Sequence, residues 1–294
     1  MTEHDSDKVT KGARTARSTK PGPVIPIGGA EDLDPASQES ILAEFVRLSG
    51  GKRARIAVVP TASAEPGSTG QEYCRLFEKI GAKQTECLEV EERPDANQDA
   101  AVELLQRASG IFITGGDQAR LVSLLVGTAV METIRQCHEA GIVIAGTSAG
   151  ASILSAHMLV PSNLPGVTTN NGSPRRGETD LVSGFGLLRD VIIDQHFSQR
   201  GRIGRLLEAF ASNPGLLGLG LDEDTAAAID RNACLTVLGT GSVTIIDGRN
   251  ATSDYFDRAP GEVVSVVDSH LFVLGPGRQF DLKTRRPLPF DDPD

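Results

Sequence analysis

Tryptophan is absent and aromatic residues make up only 4% of the 294 residues, so the stacking platforms that proteins use on bases and sugars are scarce. Cysteine is scarce too. The four thiols, Cys74, Cys87, Cys137 and Cys234, form no C-x-x-C pair and have no histidine-rich neighbour. That pattern argues against a disulfide framework or a zinc knuckle and for free, buried thiols. No apolar run approaches the roughly 20 residues of a bilayer span, and the polar start MTEHDSDKVTKGARTARSTK lacks the apolar core of a secretory signal. A soluble, cytoplasmic protein without membrane contact is expected. Positive charge is in deficit, with 29 Lys+Arg against 39 Asp+Glu and a net charge of −10. Such a field repels nucleic acid and anionic lipid and attracts cationic ligands.

What is present is globular: 39% hydrophobic and 23% charged residues, a length that suits one large domain or two small ones, and 32 glycines that point to tight turns and close backbone approaches. Residues 1–22 are polar, partly basic and without periodicity, and read as a disordered tail. No internal repeat or composition break divides residues 23–294, which read as a single α/β domain. Short apolar runs (from residue 24, 55–59, 86–90, 110–113, 142–145) alternate with amphipathic stretches (35–48, 70–80, 97–108, 119–140). Near-continuous Ile/Val runs bounded by Gly or Pro are the mark of strands buried on both faces, so the pattern predicts a largely parallel central sheet with helices on either side. Residues 160–178 (VPSNLPGVTTNNGSPRRGE) predict a long loop of the kind that serves as a lid. Beyond it come a strand over 189–195, a helix over 200–211 and closely spaced strands, an antiparallel C-terminal extension of the same domain.

Gly146-Thr147-Ser148-Ala149-Gly150 fits G-x-S-x-G, with the apolar run 142–145 before it and the apolar helical start Ala151-Ser152-Ile153-Leu154 after it. A serine on a sharp strand-to-helix turn has its hydroxyl lifted clear of the sheet, next to a helix N-terminus that favours developing negative charge. Ser148 is therefore the candidate nucleophile. It needs a base, and four of the five histidines are in unremarkable positions: His4 in the tail, His138 on the polar side of a helix, His157 at the far end of the helix after Ser148, and His270 in a late strand. His196 ends the run Val191-Ile192-Ile193-Asp194-Gln195, where a parallel strand would bring it to the same sheet edge as Ser148. For the orienting carboxylate two placements stay open: Glu223, at the end of another predicted strand, and Glu178 or Asp180, which would give the chain order Ser, acid, His. The strand end is the more rigid position and favours Glu223, with Asp222 and Asp224 as turn or capping residues. Oxyanion donors are expected from the backbone N–H of Ala149 and of Gly116, the latter in the Gly115-Gly116-Asp117-Gln118 turn. Arg200, Arg202 and Arg205 crowd the start of a predicted helix, a position that opposes the helix dipole and suits a carboxylate clamp, with Gln118 in the same pocket.

Together, ITGGDQ (113–118), AGTSAGA (145–151), IDQHFSQRGRIGRL (193–206), LGLDEDTA (219–226) and FDLKTRRP (280–287) resemble peptidase family S51, the family of cyanophycinases and aspartyl dipeptidases. The resemblance runs from about residue 24 to the end. It implies a three-layer flavodoxin-like α/β sandwich related to class I glutamine amidotransferases, a homodimer, and a serine-type exopeptidase without a metal or organic cofactor. The implied substrate is cyanophycin, a polyaspartate whose β-carboxyls carry arginine, and the implied product is the β-aspartyl-arginine dipeptide. The resemblance maps the nucleophile onto Ser148, the base onto His196 and the acid onto Glu223. It maps the substrate pocket onto Gln118, Asp194, Gln195, Arg200, Arg202 and Arg205. An Asp-specific dipeptidase using the same triad is the near alternative, and a non-catalytic binding protein the distant one. Serine rather than cysteine at position 148 disfavours a glutamine amidotransferase.

Overall fold

The computed structural model describes residues 20–34, 40–162, 164, 167 and 172–289. The expected disordered tail lies outside the described residues up to position 19, as does much of the 160–178 loop. Gly22 is already tied in, its N–H donating to the His138 carbonyl at 2.7 Å. The first half of the chain runs β1 (Val24–Ile27), α1 (Ile41–Leu48), β2 (Arg55–Val59), α2 (Pro66–Ile80), β3 (Gln84–Cys87), α3 (Asp99–Arg107), β4 (Gly110–Ile113), α4 (Gln118–Leu125), α5 (Ala129–Glu139) and β5 (Val143–Thr147). These five strands lie parallel in the order β1-β5-β4-β2-β3.

Alternation along each central strand feeds two cores, because successive side chains point to opposite faces. Ile25, Ile27, Ile56, Val58 and Phe112 pack with Phe45 of α1 and Phe77 of α2. Val24, Ala57, Val59, Ile111, Ile113 and Ile144 face Leu105 of α3, Leu121 of α4 and Ile134 of α5. Helices therefore cover both faces, giving the three layers expected. Local caps fix where helices start: the Ser40 hydroxyl accepts from Ala43 N, and the Asp117 carboxylate from Ala119 N and Arg120 N.

The apolar period from 119 to 140 predicts one helix, but the structure has two. Gly127 takes φ +76° and the Thr128 hydroxyl caps α5, donating to Leu125 O at 2.7 Å while accepting from Met131 N. A left-handed glycine followed by a Thr cap ends one helix and starts another without interrupting the apolar pattern.

The second half runs α6 (Ala149–Ser152), β6 (His157–Pro161), β7 (Thr179–Ser183), β8 (Val191–Gln195), α7 (Ile203–Ala211), β9 (Leu217–Leu221), β10 (Thr225–Ile229), β11 (Cys234–Gly239) and β12 (Val243–Asp247), then β13 (Thr252–Ser253), β14 (Val266–Val267), β15 (His270–Leu274), β16 (Gln279–Asp281) and β17 (Arg286–Pro287). Strands β10, β11, β16 and β17 extend the central sheet antiparallel beyond β1, as the closely spaced C-terminal runs predict. The helix after Ser148 is a single turn, so His157 opens β6 instead of standing at a helix end, and β6 pairs antiparallel with β7 across the expected loop.

Strands β8 and β9 are where the one-sheet expectation fails. They pair parallel with each other in a separate four-stranded sheet, β15-β12-β9-β8, and not with β5. One face of that sheet (Ile193, Leu219, Ile245) joins the core that includes α6, and the other (Ile192, Ile246) is covered by Leu206 and Phe210 of α7. The two sheets meet at the turn after β1. There Ser148 N donates to Ile27 O, His196 N to Gly28 O, Gly28 N to Thr225 O and Asp224 N to Gly29 O. Ser148 and His196 thus converge through a shared turn and not through a shared sheet edge.

Candidate active site

Ser148 stands between β5 and α6 with φ +52° and ψ −115°, a conformation that a non-glycine residue holds only when its surroundings enforce it. Its Oγ lies 3.0 Å from His196 Nε2, and His196 Nδ1 lies 2.6 Å from Glu223 Oε1. A carboxylate can only accept, so Nδ1 carries the proton and Nε2 is left to accept from the Ser148 hydroxyl. Burial lowers the His196 pKa from its ordinary value, Glu223 pulls it back up and Arg200 adds to the lowering. The imidazole is therefore neutral near pH 7, the form that can take a proton.

The ring is held by close packing as well as by hydrogen bonds. Gly29 has φ +103°, and a Cβ there would sit 2.4 Å from His196 Cε1, so only glycine leaves room for the imidazole. Of the carboxylates left open by the sequence, Glu223 is the one at the imidazole. Glu178 and Asp180 lie instead at the start of β7, where Glu208 accepts from Gly177 N and from Thr179 Oγ1, each at 2.7 Å. Asp222 and Asp224 are turn residues as expected: Asp222 accepts from Ser198 N and from Ser242 N and Oγ, and Asp224 from Asp32 N and Thr240 Oγ1. His138, expected on a polar helix face, is buried, and burial lowers its pKa.

The backbone N–H groups of Gly116 and Ala149 have no protein acceptor among the described residues, as a pair of oxyanion donors requires. Gly116 belongs to the turn after β4, which is pinned by Asp117 N donating to Ala62 O at 2.7 Å. The neighbouring Gly115 lies against Ser148.

A cavity of about 830 Å³ opens beside Ser148, with Gln118, Gln195, Arg200, Arg202 and Arg205 in its wall. Asp194 lies beneath, 1% exposed. Its Oδ2 accepts from Arg205 Nε at 2.7 Å, its Oδ1 from Arg205 Nη2 and from Arg202 Nη1 at 3.2 Å. The six residues assigned to the pocket are therefore brought together, but Arg205 is committed to Asp194 in a bidentate pair and Arg202 also donates to Gln195 O and Oε1. Burial, and then the adjacent Arg205 and Arg200 charges against the opposing pull of Asp194, bring Arg202 down to about 10. Its Nε is buried without a protein acceptor. Three guanidinium groups thus line the cavity wall, a chemistry that suits an anionic ligand.

One residue gives no signal in the sequence. Glu31 is 6% exposed and accepts from Thr147 Oγ1 and from Tyr73 OH, each at 2.6 Å, so a buried carboxylate holds the residue just before Ser148. Burial, then the Glu31 charge, pushes the Tyr73 hydroxyl up, which keeps it protonated as a donor. Among the described residues no group of His, Cys, Asp and Glu is arranged to hold a metal ion, and no helix is long and apolar enough to cross a membrane.

An α/β sandwich whose hydroxyl, imidazole and carboxylate stand in relay at a cavity is the framework of a hydrolytic peptidase. Residues 24–236 match the model of peptidase family S51, and the chain belongs to that family. It is 40% identical over 278 residues to the cyanophycinase of Nostoc sp. (strain PCC 7120 / SAG 25.82 / UTEX 2576), covering 94% of this chain and 90% of that one. It is 37% identical over 267 residues to the cyanophycinase of Geminocystis herdmanii (strain PCC 6308), covering 90% and 95%. The crystal structure of a peptidase from an acI-B1 Actinobacterium shares the fold, with a TM-score of 0.61 at 23% identity over 87% of this chain and 99% of that one.

Proposed function

We propose that this chain is a serine-type exopeptidase that hydrolyses cyanophycin to β-aspartyl-arginine dipeptides through an acyl-enzyme on Ser148. The observation that carries the proposal is the Ser148–His196–Glu223 relay, at 3.0 and 2.6 Å, beside an arginine-walled cavity. It stands in a chain about two-fifths identical to cyanophycinases along nearly its whole length.

Ser148 Oγ attacks the scissile carbonyl while His196 Nε2 takes its proton. The oxyanion faces the N–H groups of Gly116 and Ala149, and collapse returns the proton to the leaving amine. Water, deprotonated by the same imidazole, then hydrolyses the ester, and Glu223 holds the ring and balances its charge in both half-reactions. Each substrate unit carries a free α-carboxylate and a guanidinium. The guanidinium groups of Arg200, Arg202 and Arg205 along the cavity wall suit the first, and the protein's net charge of −10 attracts the second. A homodimer and a cytoplasmic location belong to the same proposal and rest on the family resemblance and the sequence.

Incubation of the purified protein with cyanophycin, followed by mass spectrometry, is expected to release β-aspartyl-arginine as the sole small product. Inert polymer together with cleavage of Asp-initiated dipeptides would replace this reading with the dipeptidase. A pH profile supplies a second check. Because the His196 pKa lies below 6.5, its neutral form persists to lower pH than that of an ordinary histidine. kcat/KM is expected to hold constant down through neutral pH and to fall only on an acid limb with a midpoint below 6.5. A midpoint above that value contradicts the assignment of the base.

A further inference from the structure

One short segment, the end of β1 and the turn after it (residues 27–32), touches the chain at all three members of the relay. Ile27 O accepts from Ser148 N at 3.0 Å, and Gly28 O accepts from His196 N at 2.9 Å. Gly29 packs against the imidazole, and its carbonyl accepts at 2.8 Å from the N–H of Asp224, the residue after Glu223. Asp32 N then donates to Asp224 Oδ1 at 2.9 Å. A displacement of this turn therefore shifts hydroxyl, imidazole and carboxylate relative to one another. The turn does not take its shape by local preference: Gly29 has φ +103° and Ala30, which carries a Cβ, has φ +49°. Such a conformation persists only where the surroundings over-determine it.

The side chain of Glu31 ties that turn down. A carboxylate only accepts, and each of its oxygens takes one hydroxyl proton, Oε2 from Thr147 Oγ1 and Oε1 from Tyr73 OH, both at 2.6 Å. Thr147 ends β5 directly before the φ +52° of Ser148, and its branched Cβ makes χ1 stiff, so holding its hydroxyl holds the backbone that leads into the nucleophile. Tyr73 belongs to α2, with its ring centroid 4.8 Å from that of Phe112 and 6.0 Å from that of Phe77, in the core on that face of the sheet. The carboxylate thus bridges a packed aromatic core and the catalytic turn. Burying a carboxylate costs folding free energy that an apolar side chain would avoid, so stability alone does not account for Glu31 at 6% exposure. Neither Glu31 nor Thr147 is in the wall of the 830 Å³ cavity, so neither is placed to touch the substrate.

We infer that Glu31 is a positioning residue for the hydrolysis: by holding Thr147 and the 27–32 turn against Tyr73, it keeps Ser148 Oγ in line with His196 Nε2. This rests on Ser148 as the nucleophile of the proposed function and deepens that reading, whichever substrate is cut. The hydroxyl already stands 3.0 Å from the imidazole, a working distance for proton transfer, and a misplacement of about 1 Å costs about 10²-fold in rate. Loosening the tie therefore slows the chemical step and leaves substrate binding at the arginine wall as it is.

The test measures kcat and KM on soluble cyanophycin for the wild type, Glu31→Ala, Thr147→Val, Thr147→Ser and the Glu31→Ala/Thr147→Val double variant, at a temperature where circular dichroism shows each folded. Glu31→Ala and Thr147→Val are each expected to lower kcat about 10- to 100-fold with KM within about twofold of the wild type. Thr147→Ser keeps the hydroxyl and is expected to stay within about threefold of the wild-type kcat. Since the two residues act through one hydrogen bond, the double variant is expected to lose about as much as the worse single variant. Thr147→Val keeps the branched shape and decides the matter should Glu31→Ala fail to fold. Unchanged kcat in a folded Glu31→Ala or in Thr147→Val overturns the positioning role, as does a Thr147→Ser enzyme as slow as Thr147→Val, a rise in KM that matches the fall in kcat, or losses that multiply in the double variant. Each of these leaves the proposed function standing. A wild type that cuts only Asp-initiated dipeptides replaces the substrate, and the same variants are then read on such a dipeptide. A wild type inert towards both overturns the proposed function itself, and the positioning role with it.

Discussion

Ser148→Ala is expected to lower kcat on cyanophycin by about 10⁴-fold or more while moving Tm by no more than about 2 °C. The kinetic loss follows because the hydroxyl oxygen lies 3.0 Å from His196 Nε2, and an alanine leaves the imidazole without that proton to take. The thermal effect is small because alanine keeps the Cβ that already lies in the φ +52° turn, so only one hydrogen bond, worth about 1 kcal/mol, is removed. Within the same series, Glu223→Gln preserves shape but offers the ring an uncharged partner, and a loss of about 10²- to 10⁴-fold is expected. Glu178→Gln acts at the start of β7, away from the imidazole, and is expected to leave kcat close to the wild type. Unchanged turnover in Ser148→Ala, or a Glu178→Gln enzyme as damaged as Glu223→Gln, would sink the assignment.

Asp194→Ala is expected to destabilise the fold by about 3 to 5 kcal/mol, because it strands buried guanidinium groups without their carboxylate. At 2 to 4 °C per kcal/mol for a chain of this size class, Tm should fall by roughly 10 °C. Arg205 is the chief victim: it is 4% exposed and held in a bidentate pair, with Arg202 sharing the same carboxylate. Adding Arg205→Met to Asp194→Ala removes one stranded charge, so the double variant should recover part of the loss, and thermal denaturation of the two reads this directly. A fall of less than about 1 kcal/mol in Asp194→Ala would mean that solvent, not Asp194, satisfies these arginines. In that case Arg205 would be a freely available substrate ligand, as the crowding of basic residues at a helix start suggests when only the sequence is considered.

Much of the site was legible in the sequence because its signals are local. The runs at 24–27, 55–59, 110–113, 143–147, 191–195 and 217–221 are apolar on both faces and bounded by turn residues, and each forms a strand. Ser148 is marked by small neighbours that allow a tight strand-to-helix turn, and His196 and Glu223 by their positions immediately past strands. The Gly127 break between α4 and α5 was hidden because the apolar period carries across it. Glu31 was hidden because nothing beside it in the chain announces that Thr147 and Tyr73 will close on it.

The amino-acid pattern by itself determined which segments become strands and helices, and which hydroxyl, imidazole and carboxylates stand at their ends, since hydrophobic period and turn chemistry act over a few residues. Which strands share a sheet was decided by the tertiary structure alone. Residues 191–195 and 217–221 look as suited to the central sheet as any others, yet they pair with each other and with residues 243–247, because a strand's partners are set by long-range packing. The same long-range packing chose Glu223 over Glu178 and turned two of three arginines inward to Asp194. It also brought Gln118 of α4 up to the Leu159 carbonyl of β6, 41 residues further along the chain.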